Sequence, residues 1–256
     1  MDTIFDLGIK YSMVLRLALD IRRILDARVL IFDFDGVLVD SYSCLPAIYM
    51  LIAKKIGMPD DLAMAFSIRA IAMEDEADYM MNYDRTSWWP ELFRSFGINI
   101  DSWGLQKLSD FYQEERINRS RILPKVRDLL ECFLRMNKIL VIVAGSDGIK
   151  GKKRERIEKS GLAHYFRDII IVGDDVPSRE DAIRIVLQKY GVKQREIVVI
   201  DDKPHPINTV KKAFPEIFAI RVLFRTILTK AWEGKAAADI EVRSMYELYR
   251  LLRNFC

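Results

Sequence analysis

Two acidic pairs carry the most chemistry in this chain: Asp33-Phe34-Asp35, which runs into Gly36, and Asp201-Asp202. Each follows an uninterrupted apolar run, Val29 to Phe32 in the first case and Ile197 to Ile200 in the second. Carboxylates two residues apart, where a strand turns through glycine, can face one crevice and expose the intervening backbone carbonyl as well. Bare charge at the end of a buried strand is costly. A turn-forming Asp-Gly pair is the bland alternative for the first motif. If both strands end on one edge of a sheet, four carboxylates converge and repel, and a hard divalent cation with oxygen ligands removes the repulsion. Mg2+, which prefers oxygen in a near-octahedral shell, fits that donor set.

The elements that must position these residues are legible in the hydrophobic pattern. Apolar runs without alternation recur at Ile139 to Val143, Ile169 to Val172 and Phe218 to Val222, with a short one at Ile240 to Val242, as expected for strands buried on both faces. From Lys125 onward they alternate with helical periodicity at Val126 to Met136, Lys152 to Ser160, Glu180 to Tyr190, Ile207 to Phe214 and Met245 to Leu252. This predicts an α/β fold with a doubly wound parallel sheet, whose ligands bind at the carboxyl ends of the strands. An amphipathic helix over about 10–26 precedes the first strand. Between Tyr42 and Leu123 the pattern is helical with no convincing strand, which predicts an inserted α-helical cap over 42–120 on a core formed by 1–41 and 121–256.

Composition narrows the partners. Forty basic against 37 acidic residues leave a net charge of +3, too small and too evenly spread for an electrostatic nucleic-acid binder. The apolar stretch from Ser41 to Ala53 is shorter than the roughly 18 residues of a spanning helix, so no membrane association is expected. Cys44, Cys132 and Cys256 stand far apart with no CxxC, which suggests neither a disulfide framework nor zinc and fits a reducing cytoplasm. No basic segment precedes an apolar run at the N-terminus, so no signal peptide is expected.

Asp33-Phe34-Asp35-Gly36-Val37 resembles the DxDGV signature of the haloacid dehalogenase superfamily, in particular its Mg2+-dependent phosphatases and phosphomutases with a helical cap after the first motif. Leu123 to Leu130, Tyr165 to Ile169, Gly173 to Val176 and Ala238-Asp239-Ile240 extend the similarity over nearly the whole core. The resemblance implies a HAD-like, Rossmannoid fold and hydrolysis of a small phosphorylated metabolite, with a sugar phosphomutase or a non-catalytic protein of the same fold as alternatives. It implies Asp33 as nucleophile through an aspartyl-phosphate and Asp35 as acid and base. The metal would be held by Asp33, the Asp35 carbonyl, Asp201 and Asp202.

Three positions depart from the family's pattern. Ala144 stands where the family has Ser or Thr; a bulge could return Ser146 to the phosphate, or the N–H groups of Gly145 and Ser146 could bind it directly. Arg179 occupies the place of the usual lysine, and Lys203 could supply an ammonium instead. Pro206 replaces a further acid. Asp174-Asp175 and His205 read as loop residues, His164 and His205 are too few for a multi-His metal site, the basic run Lys150 to Arg154 with Arg156 reads as a solvated helix start, and Trp88-Trp89 as packing of the cap.

Overall fold

The structure is a computed structural model, and it describes residues 15–256. Residues 15–26 are helical (α1), and the earlier part of the expected leading helix lies outside the described residues. There follow β1 (Val29–Phe32), β2 (Val39–Asp40), α2 (Leu45–Lys55), α3 (Asp60–Tyr79), α4 (Arg85–Arg94), α5 (Ser102–Arg119), β3 (Arg121–Ile122), α6 (Val126–Arg135) and β4 (Ile139–Gly145). The chain continues with α7 (Lys152–Lys159), β5 (Asp168–Val172), α8 (Arg179–Tyr190), β6 (Ile197–Asp201), α9 (Pro204–Ala213), β7 (Phe218–Val222), β8 (Ile240–Val242) and α10 (Met245–Leu252).

The apolar runs form one parallel sheet in the order β5-β4-β1-β6-β7-β8. Both faces are covered, which is why the strands read as continuous rather than alternating. Leu30 and Phe32 pack with Leu129, Phe133 and Leu248 on one face. Val29 and Ile31 pack with Ile183, Val186 and Phe214 on the other. β1 lies between β4 and β6, with Phe32 opposite both Ile142 and Ile200. The chain winds outward from β1 through β4 to β5, then crosses back to β6, so the crevice at the ends of β1, β4 and β6 is the topological switch point.

Helices α2 to α5 leave the sheet after β2 and return at β3, and those two short strands pair antiparallel with Val39 opposite Ile122. β3 falls inside the stretch that the sequence pattern assigns no strand, because a two-residue ladder is too short to carry a period. The helical unit is built around Tyr49, Phe66, Trp89, Phe93 and Tyr112. Leu228, from the loop after β7, is buried in the same cluster, and Phe224 and Trp232 pack against it.

The cysteine expectation is corrected. Cys132 on α6 and Cys256 are joined by a disulfide, their Cα atoms 5.0 Å apart across a sequence separation of 124, while Cys44 is free. Linear spacing cannot reveal this pair, because it is the packing of α10 on α6 that brings the C-terminus to Cys132. The argument for a reducing compartment from unpaired cysteines falls with it. Among the described residues no helix is long and apolar enough to cross a membrane.

Candidate active site

The register of β1 and β6 brings the two acidic pairs to one edge. The Asp33 N–H donates to the Ile200 carbonyl at 2.9 Å, extending the ladder one residue past Phe32. Carboxylate oxygens of Asp33, Asp201 and Asp202 all lie within 4.8 Å of one another. Asp201 and Asp202 are 1% and 0% exposed. Asp202 Oδ2 accepts from the Trp232 indole at 2.7 Å, whereas its Oδ1 is buried without a partner. Gly36, at φ 76°, passes so close that a Cβ there would overlap the Asp202 carboxylate. Burial and the neighbouring Asp201 charge push Asp33 up to about 7, against the pull of Arg179 and Lys153. Burial and Asp201 likewise hold Asp202 well above its ordinary value. A buried carboxylate oxygen without a partner, inside a group of three mutually repelling acids, fits a hard divalent cation.

Arg179 opens α8, whose Ser178 cap accepts the Asp181 N–H at 3.1 Å. Its guanidinium donates to Asp201 Oδ2 at 2.9 Å, to the Val143 carbonyl at 3.2 Å and to Asp33 Oδ1 at 3.5 Å, so it stands directly on the acidic group. β4 keeps regular register from Val141 to Gly145 with no bulge. The Ser146 hydroxyl donates to Asp174 Oδ1 at 2.7 Å and its N–H donates to Val172 O at 2.8 Å, so both donors are committed to the end of β5 and the loop after it. Gly145 and Ser146 both border the crevice. Lys203 turns to the helical unit: its ammonium donates to both Asp78 oxygens at 2.9 and 2.7 Å and stands 4.5 Å from the Trp232 ring centre.

Asp35 is separated from the three acids and lies in a second, oppositely charged cluster. Its carboxylate accepts from the Ser41 hydroxyl, Lys153 and Arg156, with Arg116 at 3.8 Å. Asp147 completes the group, 2.7 Å from Arg156, 2.9 Å from Lys153 and 3.6 Å from Arg116. Burial alone would raise Asp35, but Arg156, Lys153 and Arg116 outweigh it and hold the carboxyl well below its usual range. The solvated reading of the basic run is therefore corrected. Lys153 and Arg156, three residues apart on α7, are 5% and 3% exposed because that face of the helix lies against two buried carboxylates. Their spacing was the available signal; the acids they meet are 6 to 121 residues away.

Above the crevice the helical unit closes a chamber of about 80 Å³, bordered by Tyr42, Asp78, Tyr83, Trp88, Arg116 and Lys203 beside the core residues. Trp88 borders it while Trp89 is fully buried in the helical core. Tyr83 lies on the α3–α4 connection, pressed so close to the core that a Cβ on Gly148 would overlap its carbonyl. Tyr83, Asp78, Arg116 and Trp232 escape sequence reasoning because none belongs to a motif. Asp174 and Asp175 serve the loop, Asp174 accepting from Ser146 and Gly151 and Asp175 pairing with Arg154 at 2.7 Å. His164 and His205 are exposed.

Residues 30–220 match the haloacid dehalogenase-like hydrolase family. A phosphoglycolate phosphatase of Vibrio parahaemolyticus is 26% identical over 199 residues, covering 73% of this chain and 81% of the relative. Among solved structures, one assigned as a β-phosphoglucomutase from Thermotoga maritima aligns with TM-score 0.67 at 22% identity, over 90% of this chain and 100% of that one. A magnesium-bound protein of Bacillus subtilis, assigned as a HAD hydrolase, aligns with TM-score 0.64 at 18% identity, over 88% and 98%. These structural likenesses show the fold.

Proposed function

The chain belongs to the haloacid dehalogenase-like hydrolase family, and from that premise we propose that it hydrolyses small phosphate monoesters through an aspartyl-phosphate on Asp33, with Mg2+ as cofactor. The observation that carries the reading is the convergence of Asp33, Asp201 and Asp202 within 4.8 Å, with Asp202 Oδ1 buried and without a partner. Asp33, Asp201 and Asp202, with the Asp35 carbonyl, would hold the ion, whose charge would offset that of the transferring phosphoryl group.

Asp33 attacks phosphorus, the bond from phosphorus to the ester oxygen breaks, and the departing oxygen takes a proton. Water then attacks phosphorus, loses its proton, and releases phosphate with Asp33 restored. Arg179, already on Asp33 and Asp201, is the cation placed to bind a phosphoryl oxygen. Asp35 is the acid and base of this scheme. Ion-paired with Lys153 and Arg156 it is a carboxylate, the form that accepts the proton of the attacking water. To protonate the leaving oxygen it must first turn out of that cage and pick up a proton. The region 42–120 acts as the cap. A confined site lined by charged groups suits a small ester, and the phosphoglycolate named for the Vibrio relative is one.

Phosphate release from phosphoglycolate, sugar phosphates and an aryl phosphate, measured with Mg2+ and with a chelator, tests the reading. Turnover is expected only with the ion, and Asp33→Asn should retain less than about a tenth of it, because an amide is a poor nucleophile and a weaker metal ligand. Full activity in that variant sinks the assignment. Transfer through a bisphosphate without net phosphate release would make the protein a mutase.

A further inference from the structure

Ser146 borders the chamber at the end of β4, but no hydroxyl there is free to donate into it. Ala144 has none, and both donors of Ser146 are committed, the hydroxyl to Asp174 at 2.7 Å and the N–H to Val172 at 2.8 Å. The helical unit places one there instead. Tyr83 borders the chamber together with Asp33, Gly145, Arg179 and Lys203. Its ring lies across the end of β4, Cε2 being 3.9 Å from the position of a Cβ on Gly145. The Tyr83 carbonyl accepts from Arg85 at 3.2 Å and abuts Gly148, so the backbone is held from both sides.

Tyr83 is half-buried, and among the described residues its hydroxyl makes no hydrogen bond to the protein, which leaves it free for a ligand in the chamber it borders. The surrounding charges are Lys203, Asp78, Asp33 and Arg179, from α9's cap, α3, β1's end and α8. Burial, ahead of those charges, pushes the phenol up to about 12, so it remains a donor at neutral pH.

We propose that the Tyr83 hydroxyl donates a hydrogen bond to a phosphoryl oxygen of the substrate, supplying from the α3–α4 connection the contact that β4 lacks. The inference rests on the phosphoester reading of the site and adds a substrate-binding residue to it. Because the donor rides on the helical unit while Arg179 and Asp33 belong to the core, the phosphoryl group is gripped from both sides only when Tyr83 lies over Gly145 and Gly148.

Tyr83→Phe removes the hydroxyl and leaves the ring packing on Gly145. Calorimetric titration with inorganic phosphate in Mg2+ should show affinity about 10-fold or more weaker than wild type, the size expected for a hydrogen bond to a charged group. kcat/KM for the best ester should fall by a similar factor. The rise in melting temperature produced by Mg2+ alone should be unchanged, which separates the lost contact from misfolding or a damaged metal site. Phosphate affinity and kcat/KM equal to wild type overturn the proposal. A wild-type protein that binds phosphate but turns over no ester removes the hydrolase reading, and the same titration still decides the role of Tyr83.

Discussion

At the scale of single residues, Asp33 and Asp35 are two positions apart yet meet opposite electrostatic surroundings. Asp33 faces Asp201, and burial and that charge push it from 3.8 to about 7; Asp35 faces three cations that hold it ionised. The divergence has a consequence for stability. A carboxyl whose folded value is raised binds its proton more tightly in the folded chain, so its favourable contribution is present below about pH 4 and disappears as pH rises through about 7. Asp202 shifts in the same direction. Asp35 and Asp147, shifted downward, act only in acid below that window. In the presence of a chelator the melting temperature should therefore fall between about pH 4 and 7, and millimolar Mg2+ should flatten the fall by replacing the protons. Scanning calorimetry across that range checks both halves; a flat profile in chelator would contradict the crowding of the three acids.

At the scale of elements, charged side chains bridge strands and helices that are remote in sequence. Lys203, at the cap of α9, pairs with Asp78 near the end of α3, and the two side chains are only 15% and 8% exposed. Removing one partner of such a pair leaves a poorly solvated charge, whereas replacing both by apolar groups can be close to neutral. Asp78→Ala should cost about 1 to 3 kcal/mol, less than the figure for a fully buried pair because Lys203 keeps some solvent. The double change Asp78→Leu with Lys203→Met should recover most of the loss. Urea unfolding of the three proteins measures both, and equal midpoints for wild type and the single variant would show that the bridge contributes nothing. The loop after β7 adds a second tie: Thr229 and Lys230 donate backbone N–H groups to Asp75 at 2.8 and 3.0 Å, while Trp232 reaches Asp202. One loop thus touches both α3 and the acidic cluster.

At the scale of the whole molecule, the helical unit sits over the carboxyl edge of the sheet because it leaves the chain just after β1, through β2, and returns through β3. A lid in that place limits what reaches Asp33. A site beneath the helical unit is harder for a folded phosphoprotein or a duplex end to reach than for a small ester. Small esters should accordingly show kcat/KM on the order of a hundredfold above a phosphoprotein of equal phosphate concentration, read as released phosphate. A preference for the phosphoprotein would mean that α2 to α5 serve as a docking surface.

The sheet, its winding and the motif residues are legible along the chain. Continuous apolar runs, helical periods between them and acids at two strand ends are local or periodic signals, and parallel pairing of β1 with β6 is enough to bring Asp33 to Asp201 and Asp202. Which carboxylate each cation meets is set by the packing of elements remote in the chain. Lys153 and Arg156 read as a solvated run until α7 is laid against Asp35 and Asp147, Lys203 has no visible partner until α3 brings Asp78 to it, and Cys132 reads as unpaired until α10 carries Cys256 to α6. The physical reason is the same in each case. Apolar burial repeats with the period of the element and so is written along the chain, whereas a charge or a thiol takes as its partner whatever the packing of distant elements places within a few ångströms.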